Sequence, residues 1–274
     1  MELLLLRYSE IGLKSRPVRK RFEDTLRSNM ISMLANDNVE AIVTTGSARF
    51  YVESNDLDRA AASLRRVFGI ASLSKAAVCG SSMEEICETA AEYSKTRVKK
   101  GQRFRVSARR EGQQGYSSMD VGREAGSAIF LANEGLIVDL TTPEVTFYIE
   151  IRNNKAFIFS EYLEGYAGLP LGSQGKVIAQ VDNERGLLSA WLMMKRGCKV
   201  IVHGKYDTGL LKKYDPSLKV MPKEEADDVK VLGRVLGTSV KELESVDVSG
   251  DLPLYFPTIG MTDAEVKKKL SEIF

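Results

Sequence analysis

Residues 1–78 alternate strand-like and helix-like segments in the order strand, helix, strand, strand, helix, strand. The two outer strands are apolar runs, Glu2–Tyr8 and Ile70–Val78. Between them, a helix from Arg16 to about Asn36 repeats apolar residues every four positions, and a second helix begins at Asn55 or Asp56 and ends before Gly69. Val39–Thr45 and Arg49–Ser54 form the inner hairpin, joined by Thr-Gly-Ser. This order predicts a ferredoxin-like unit of about 75 residues.

The next segments predict a second domain of mixed α+β type. Ser82 with Glu85 forms a capping box for a helix that continues to about Lys99. A half-buried strand follows over Arg103–Arg109, and Ser117 with Asp120 caps another helix through Asn133. A hairpin, Val145–Ile151 and Lys155–Glu161, turns at Asn153-Asn154. A Gly- and Pro-rich linker then separates this domain from the rest.

The third region alternates strand and helix and predicts a small parallel α/β layer. Its segments are Lys176–Val181, Gly186–Arg196, Lys199–His203, Leu254–Ile259 and Thr262–Ile273. The predicted boundaries are therefore 1–76, 77–165, a linker at 166–175, and 176–274. With about 100 residues, the last region is short for a doubly wound domain.

Composition excludes several classes of protein. Hydrophobic residues at 43% and charged residues at 28% are typical of globular chains. No apolar run approaches the roughly 20 residues needed to span a bilayer. Cys79, Cys87 and Cys198 show no paired spacing, which favours reduced thiols in the cytoplasm. His203 has no Cys or His neighbour at ligand spacing, so we expect no metal site. No cofactor is expected either.

The net charge of +2 hides an uneven distribution. The sixteen residues from Lys95 to Arg110 contain eight Lys or Arg and no acid. Six bases against two acids lie in 1–21, whereas 222–274 contains seven bases and eleven acids. The two basic regions favour binding of a polyanion to the N-terminal part of the chain, and the acidic region 222–274 favours a separate C-terminal domain.

Six segments resemble the tRNA 4-thiouridine synthetases, also called tRNA sulfurtransferases. LRYSEIGLKSRPVRKRFEDTL (Leu6 to Leu26) is similar to the opening of that family, and FRVSARREGQQGYSSMDVGREAG (Phe104 to Gly126) to its THUMP domain. VDLTTPEVTFYIEIRNNKAFIFSE (138–161) also resembles the THUMP domain. GLPLGSQGKV (168–177), AWLMMKRG (190–197) and FPTIGMTDAEV (256–266) resemble the junction and body of its ATP-pyrophosphatase domain.

The resemblance implies a ferredoxin-like domain, a THUMP domain and a Rossmann-like remnant of PP-loop type. In the family, the first two domains hold the acceptor end of tRNA. The third adenylates a uridine with ATP before a persulfide sulfur displaces AMP. The family is usually dimeric, so a homodimer is expected here.

The nucleotide loop departs from the family pattern. Where the family has Ser-Gly-Gly-x-Asp-Ser, this chain has Asp182, Asn183, Glu184, Arg185 and Gly186, about one residue shorter. The glycines of the family motif let backbone N–H groups close around a pyrophosphate at a helix N-terminus. Two acidic side chains there would repel phosphate by several kcal/mol at roughly 4 Å. Arg185 can offset one contact but not the missing glycines. We therefore expect no working ATP site.

The sulfur chemistry is also expected to be missing. The family's catalytic cysteine follows the segment that matches 256–266, and the present sequence ends at Phe274. Cys198 opens an apolar strand and is expected to be packing, and Cys79 and Cys87 have no counterpart in the family. No catalytic residue is predicted.

The candidate RNA-binding residues fall in the two basic regions. Arg103 and Arg105 are expected to share a strand face, and Arg16 and Lys20 a helix face. The full set is Lys14, Arg16, Arg19, Lys20, Lys99, Lys100, Arg103, Arg105, Arg109, Arg110 and Arg123. The alternative for each is a solvated helix end or an exposed strand face.

Three hypotheses follow. The first is a tRNA-binding protein that presents the acceptor end for thiolation-related modification, with chemistry supplied by a separate ATP-pyrophosphatase or sulfur-carrier protein. The second is an active ATP-dependent sulfurtransferase with an unorthodox nucleotide loop. The third is a structural protein with no nucleic-acid role, which requires the basic residues to be scattered in three dimensions.

Overall fold

A computed structural model describes residues 1–46, 48–112, 114–227 and 229–273, with Ala226 and Asp227 described in their backbone only. Ser47, part of the predicted Thr-Gly-Ser turn, lies outside the described residues. The chain forms two compact units. The first comprises 1–7, 40–61 and 72–164, and the second comprises 8–39, 62–71 and 165–274.

The chain alternates strands and helices throughout its length. The strands are β1 Glu2–Tyr8, β2 Ala41–Gly46, β3 Arg49–Ser54, β4 Ile70–Gly80, β5 Arg103–Glu111, β6 Ile137–Val138, β7 Val145–Arg152, β8 Lys155–Phe159, β9 Leu163–Glu164, β10 Lys176–Gln180, β11 Lys199–His203, β12 Lys219–Val220, β13 Arg234–Val235 and β14 Leu254–Tyr255. The helices are α1 Arg16–Asn36, α2 Leu57–Leu64, α3 Met83–Ser94, α4 Ser118–Ala132, α5 Glu184–Lys195, α6 Gly209–Lys212, α7 Lys223–Asp227 and α8 Asp263–Ile273. Short 3-10 helices cover Glu10–Leu13 and Val240–Ser245.

A continuous sheet organises the first unit. Its strand order is β2-β3-β1-β4-β8-β7-β5-β6, and β9 pairs with β4. Strand β5 runs parallel to β7 along its whole length, whereas β7 and β8 form the predicted antiparallel hairpin. Helices α3 and α4 cover one face at the β5–β7–β8 end, where Phe104, Ile129 and Phe147 are buried. The mixed α/β architecture predicted from the sequence is confirmed.

Both helices of this layer begin at the predicted caps. The Ser82 side chain accepts from the Glu85 backbone N–H, and Ser117 forms a full capping box with Asp120. The prediction that the first helix reaches Lys99 is wrong, because α3 ends at Ser94. The Ser94 hydroxyl donates to the Ala91 carbonyl inside the last turn, and β-branched residues follow it. Lys99 and Lys100 therefore lie on a loop.

A five-stranded parallel sheet organises the second unit, in the order β12-β11-β10-β13-β14. The chain starts at the central strand, builds one side and then returns to the other, as in a Rossmann-type half. Helices α5 and α8 bury Trp191, Met194 and Val266 in one core cluster with the strands. The expected Rossmann-like layer is present, although the predicted strand 254–259 is reduced to Leu254–Tyr255.

The segment predicted as a linker is packed. Leu169 and Leu171 are buried, and the Leu169 N–H donates to the Lys195 carbonyl at 3.0 Å. Gly168 has a φ of +77° and lies against the backbone of Lys195, so a larger residue would clash there.

Across the described ranges, the helices fall short of the length and apolarity that a membrane crossing requires.

Candidate nucleic-acid interface and nucleotide loop

Strand β5 determines how the arginines of the basic region are arranged. Because side chains alternate along a strand, Phe104, Val106 and Ala108 point toward α3 and α4, where they join the core cluster. Arg103, Arg105 and Arg109 therefore lie on the opposite face. Arg110 follows the helix side of the alternation, is exposed, and donates to the Gly112 carbonyl at 3.0 Å.

The three arginines on this face differ in how much charge they offer to a ligand. Arg103 donates to Asp139 at 3.3 Å and to Glu144 at 3.4 Å. Backbone hydrogen bonds from Thr142 and Thr141 hold the pKa of Asp139 below its ordinary value, and the Arg103 backbone N–H does the same for the pKa of Glu144. Both acids are therefore ionised at neutral pH and neutralise Arg103.

Arg105 and Arg109 are less compensated. Arg105 donates to the Thr146 hydroxyl at 3.3 Å and to the Leu140 carbonyl at 3.4 Å, both uncharged acceptors. Arg109 is exposed and lies opposite Glu150 in the β5–β7 register. Arg105 lies beside neutral acceptors, and Arg109 beside a carboxylate that three other arginines already share, so both keep charge for a phosphate.

An apolar groove separates the edge of β5 from α4. It has a volume of 720 Å³ and brings Arg105 and Arg123 to the same opening, with Met119, Phe130 and Leu140 along its walls. Arg123 contacts Asp120 at 3.4 Å and Glu124 at 3.0 Å, so much of its charge is neutralised. Lys100 likewise pairs with Glu134 at 3.1 Å, and Lys99 is exposed.

A second group of arginines on the sheet was missed by the sequence analysis. Arg7 on β1, Arg49 on β3 and Arg152 on β7 surround Glu150, which is 5% exposed. We call these four residues the Glu150 cluster. The Arg7 guanidinium also lies 4.7 Å from the Phe159 ring centroid and 4.6 Å from that of Tyr162. The one sequence signal was an acid, Glu150, at an otherwise apolar strand position.

The candidate residues of the second unit surround the start of α1. Lys14 and Arg16 are exposed, and Lys20 forms a solvent-exposed pair with Asp24 at 3.4 Å. Arg19 instead folds back and donates to the Gly12 carbonyl at 2.7 Å. A surface pair of this kind contributes little energy, so Lys20 can exchange Asp24 for a phosphate.

In the second unit, the predicted nucleotide loop connects β10 to α5. Helix α5 starts at Glu184, two residues before the predicted Gly186, because Asn183 is its N-cap and accepts from the Gly186 N–H at 2.9 Å. Asp182 accepts from Gln180 at 2.7 Å and from the Lys205 N–H at 3.1 Å. The side-chain hydrogen bond from Gln180 lowers the pKa of Asp182, outweighing the effect of burial, so its negative charge persists at neutral pH.

Arg185 does not face the position that a phosphate would take. It is 7% exposed and donates to the Thr258 carbonyl at 2.8 Å and to Asp263 at 2.6 Å. The expectation that Arg185 could offset one phosphate contact is therefore not supported by its position. Its contacts attach the start of α5 to Thr258, which precedes α8, and to Asp263, the first residue of α8.

The backbone at Gly237 covers the first turn of α5. A Cβ atom built on Gly237 would lie 2.3 Å from the Gly186 nitrogen and 2.5 Å from its Cα. The adjoining cavity at the carboxyl ends of β10 and β13 measures 280 Å³, just below the roughly 300–1,000 Å³ of small-molecule sites. The Asn183 side chain already occupies the Gly186 N–H, and the cavity is lined by two basic and two acidic side chains, Lys223, Arg234, Asp182 and Asp247.

A wider groove of 910 Å³ runs past the other side of the loop. Its lining includes four carboxylates and three basic side chains: Asp182, Glu184, Glu242 and Asp263, and Arg185, Lys241 and Lys267. Because the acids outnumber the bases, this groove is unfavourable for a nucleotide triphosphate.

The close packing at Gly237 gives a test of this geometry. Gly237→Ala should lower the free energy of unfolding by about 1–3 kcal/mol, because the new methyl group meets backbone that cannot rotate away. Gly250→Ala is the matched control, since its Cβ would meet nothing within 4 Å, and it should be neutral or stabilise by up to about 1 kcal/mol. Urea unfolding of both variants measures the difference. Equal stabilities would show that Gly237 does not contact α5.

The protonated thiol is favoured over the thiolate at each of the three cysteines. Burial raises the pKa of Cys79, Cys87 and Cys198, and Cys198 is 6% exposed at the start of β11. A thiol with a raised pKa is a poor nucleophile at neutral pH. Within the described ranges, no group of His, Cys, Asp and Glu is placed to hold a metal ion.

The comparisons with known proteins agree with the fold. Residues 3–74 match the ThiI ferredoxin-like domain, and residues 80–161 match the THUMP domain. A probable tRNA sulfurtransferase of Methanosarcina mazei is 36% identical over 207 residues, covering 73% of this chain and 50% of the relative. That of Methanocaldococcus jannaschii is 35% identical over 228 residues, with 80% and 60% covered. The chain thus spans about half the length of the curated relatives it matches.

Two solved structures share the fold across the whole chain. PH1313 from Pyrococcus horikoshii is 31% identical, with a TM-score of 0.86 and coverage of 100% of this chain and 99% of that one. A 4-thiouridine synthetase in complex with RNA and bound ATP is 20% identical, with a TM-score of 0.83 and coverage of 100% and 85%. The second likeness concerns the fold alone. Through its ThiI ferredoxin-like and THUMP domains, the chain belongs to the family of the tRNA sulfurtransferases.

Proposed function

We propose that this protein binds tRNA near its acceptor end and presents it for a thiolation-related modification. The observation that carries the proposal is the β5 face of the first unit, where Arg105 and Arg109 lie together with little compensating charge. Phosphate contacts of this kind position an RNA by its shape and backbone. The names of the relatives, probable tRNA sulfurtransferases, indicate the class of RNA.

The proposal includes four finer statements. The domains are divided at 1–76, 77–165 and 176–274, with 166–175 as the connection. The α5 start does not bind ATP productively, as the Asn183 cap and the covering Gly237 backbone suggest. A separate ATP-pyrophosphatase or sulfur-carrier protein then supplies the chemistry. The protein acts as a homodimer in the cytoplasm, where its three free thiols stay reduced.

A second candidate is an active ATP-dependent tRNA sulfurtransferase, which the names of the curated relatives favour. Such an enzyme would bind ATP beside Asp182 in spite of the carboxylates there. Trp191 lies on α5 in the core next to this loop, so its fluorescence provides a direct signal of nucleotide binding.

Fluorescence anisotropy with a whole tRNA and with its isolated acceptor arm, across a salt series and with or without ATP, tests the proposal. We expect both RNAs to bind, with log Kd rising linearly with log salt concentration by about 0.7–0.9 per phosphate contact. ATP should change neither the affinity nor the Trp191 emission. RNA affinity that depends on ATP, or ATP-dependent quenching, would favour the active enzyme. No binding of either RNA would exclude a nucleic-acid role.

A further inference from the structure

The Glu150 cluster contains three guanidiniums and one carboxylate, so its positive charge exceeds its negative charge. Arg7 donates to one Glu150 oxygen through two nitrogens, at 2.8 and 2.9 Å. Arg152 and Arg49 share the other oxygen at the longer distances of 3.3 and 3.5 Å. The remaining acid, Glu111, pairs with Arg152 at the exposed rim. Three guanidiniums thus share one buried carboxylate.

Arg49 is the least satisfied member of the cluster. Among the described residues, its buried Nε finds no hydrogen-bond partner, and its Nη1 donates to the Ala48 carbonyl at 3.0 Å. Burial lowers the pKa of Arg49, with Arg152 and Arg7 adding to the effect, although Glu150 opposes it. A buried charge without a full counter-charge costs free energy until an anion or hydrogen-bond acceptor reaches it.

The cluster lies on the sheet face that carries the exposed Arg109. Arg109 lies opposite Glu150 in the sheet register and is exposed. Tyr162, whose ring contacts Arg7, is 39% exposed. Among the described residues, the ion pairs of Arg7, Arg49 and Arg152 involve two carboxylates, Glu150 and Glu111, so with Arg109 the guanidiniums are in excess by two. A phosphate monoester carries about −1.5 to −2 at neutral pH, so its charge matches this excess.

The low exposure of the three guanidiniums favours a terminal phosphate of an RNA over a phosphate within its backbone as their ligand. The side chains of Arg7, Arg49 and Arg152 are 11%, 20% and 14% exposed. These guanidiniums are thus less accessible than the exposed Arg109, which a phosphate within a duplex backbone can contact. A terminal phosphate is held by a single ester bond and offers three oxygens, so it is better suited to reach planar guanidiniums of this kind.

We propose that the Glu150 cluster is a receptor for the terminal 5′-phosphate of the bound RNA. This inference rests on the proposed function, since it assigns a contact within the same RNA complex. The site would make the protein prefer an RNA with a processed, phosphorylated 5′ end over the same RNA ending in a hydroxyl. Arg49 supplies the uncommitted donors, while Glu150 holds the other two guanidiniums in place.

Binding of one acceptor-stem hairpin, prepared with a 5′-phosphate and with a 5′-hydroxyl, tests the inference. We expect the phosphorylated RNA to bind about tenfold more tightly, as charge-assisted hydrogen bonds to a dianion would give. Arg49→Gln should remove this preference and leave the affinity for the hydroxyl RNA nearly unchanged. Arg49→Lys, which keeps the charge but loses the planar fork, should retain part of it.

Two controls separate the site from its alternatives. Lys95→Gln removes one charge at the end of α3, on the helix side of the sheet, and should leave the preference intact. Urea unfolding establishes that each variant is folded. Inorganic phosphate, added as a competitor, should abolish the preference without displacing the hydroxyl RNA.

The outcomes distinguish this inference from the proposed function. If the wild-type protein binds both RNAs equally and Arg49→Gln changes neither, RNA binding stands and the receptor is excluded. An equal loss of affinity for both RNAs would make Arg49 a backbone contact and overturn the terminal assignment. Stabilisation by inorganic phosphate without any 5′ preference would identify a free-anion site instead. If neither RNA binds, the proposed function fails and this inference with it.

Discussion

Replacing Glu150 with Gln is expected to lower the free energy of unfolding by about 3–5 kcal/mol, because it leaves three largely buried guanidiniums without their carboxylate. Gln has nearly the same shape as Glu, so packing around the side chain is preserved. The loss is therefore electrostatic, and it includes the mutual repulsion of Arg7, Arg49 and Arg152. It would be among the largest effects of any single substitution in the first unit.

The pH dependence of this effect has a definite sign. Burial alone would raise the pKa of Glu150, but Arg7, Arg49 and Arg152 together hold it below its ordinary value of 4.5. A lowered folded-state pKa means that the stabilisation is fully present above pH 4.5 and is lost as the pH falls through the folded-state pKa. The difference between wild type and Glu150→Gln should thus be constant near neutrality and shrink only in acid.

Urea unfolding at several pH values measures both expectations. Glu111→Gln is the matched control, since Glu111 pairs with Arg152 from an exposed position and should cost at most about 1 kcal/mol. Equal losses of stability for the two variants, or a loss from Glu150→Gln that persists unchanged in acid, would show that Glu150 does not organise the arginines.

Arg105→Gln combined with Arg109→Gln is expected to weaken tRNA binding by roughly 25-fold at 0.15 M salt, since each arginine that no longer binds a phosphate should weaken it about fivefold. The same double variant should reduce the slope of log Kd against log salt concentration by about 2. Both arginines are on one face of β5 and face few acids, so replacing them removes counterion release and little structure.

Arg103→Gln is the matched control on the same strand and face. Because Asp139 and Glu144 neutralise Arg103, its replacement should change the affinity by less than about twofold. Anisotropy titrations of the three proteins at matched salt concentrations make the comparison. An affinity decrease from Arg103→Gln as large as that from the double variant would mean that RNA displaces Asp139 and Glu144 from Arg103. The ion pairs of the free protein would then not distinguish the arginines that bind RNA from those that do not.

Local sequence signals identified most elements of residues 1–164. Strand β1, helix α1 and the β7–β8 hairpin lie where the apolar periodicity and the turn residues placed them. Capping residues such as Ser82 and Ser117 located helix starts, because their side chains act on N–H groups only three residues away. Helix ends were less certain, as α3 shows, since no single residue such as glycine ends it.

At the start of α5, the sequence identified the altered residues but not the tertiary contacts that they make. The sequence identified the altered residues, Asp182 to Gly186, and their charge. It did not show that Arg185 turns to Thr258 and Asp263, or that Gly237 covers the first turn. Those contacts join residues some 50 to 80 positions apart, so no local pattern contains them.

The sequence by itself determined the order of elements, the family and the basic character of the β5 region, because periodicity, caps and charge are properties of neighbouring residues. Only the tertiary structure decided which of these bases keep their charge. It neutralised Arg103 with Asp139 and Glu144, and it gathered Arg7, Arg49 and Arg152 around Glu150 from three strands. The physical reason is that electrostatic compensation depends on distance in space, and strand pairing sets those distances between residues remote in the chain.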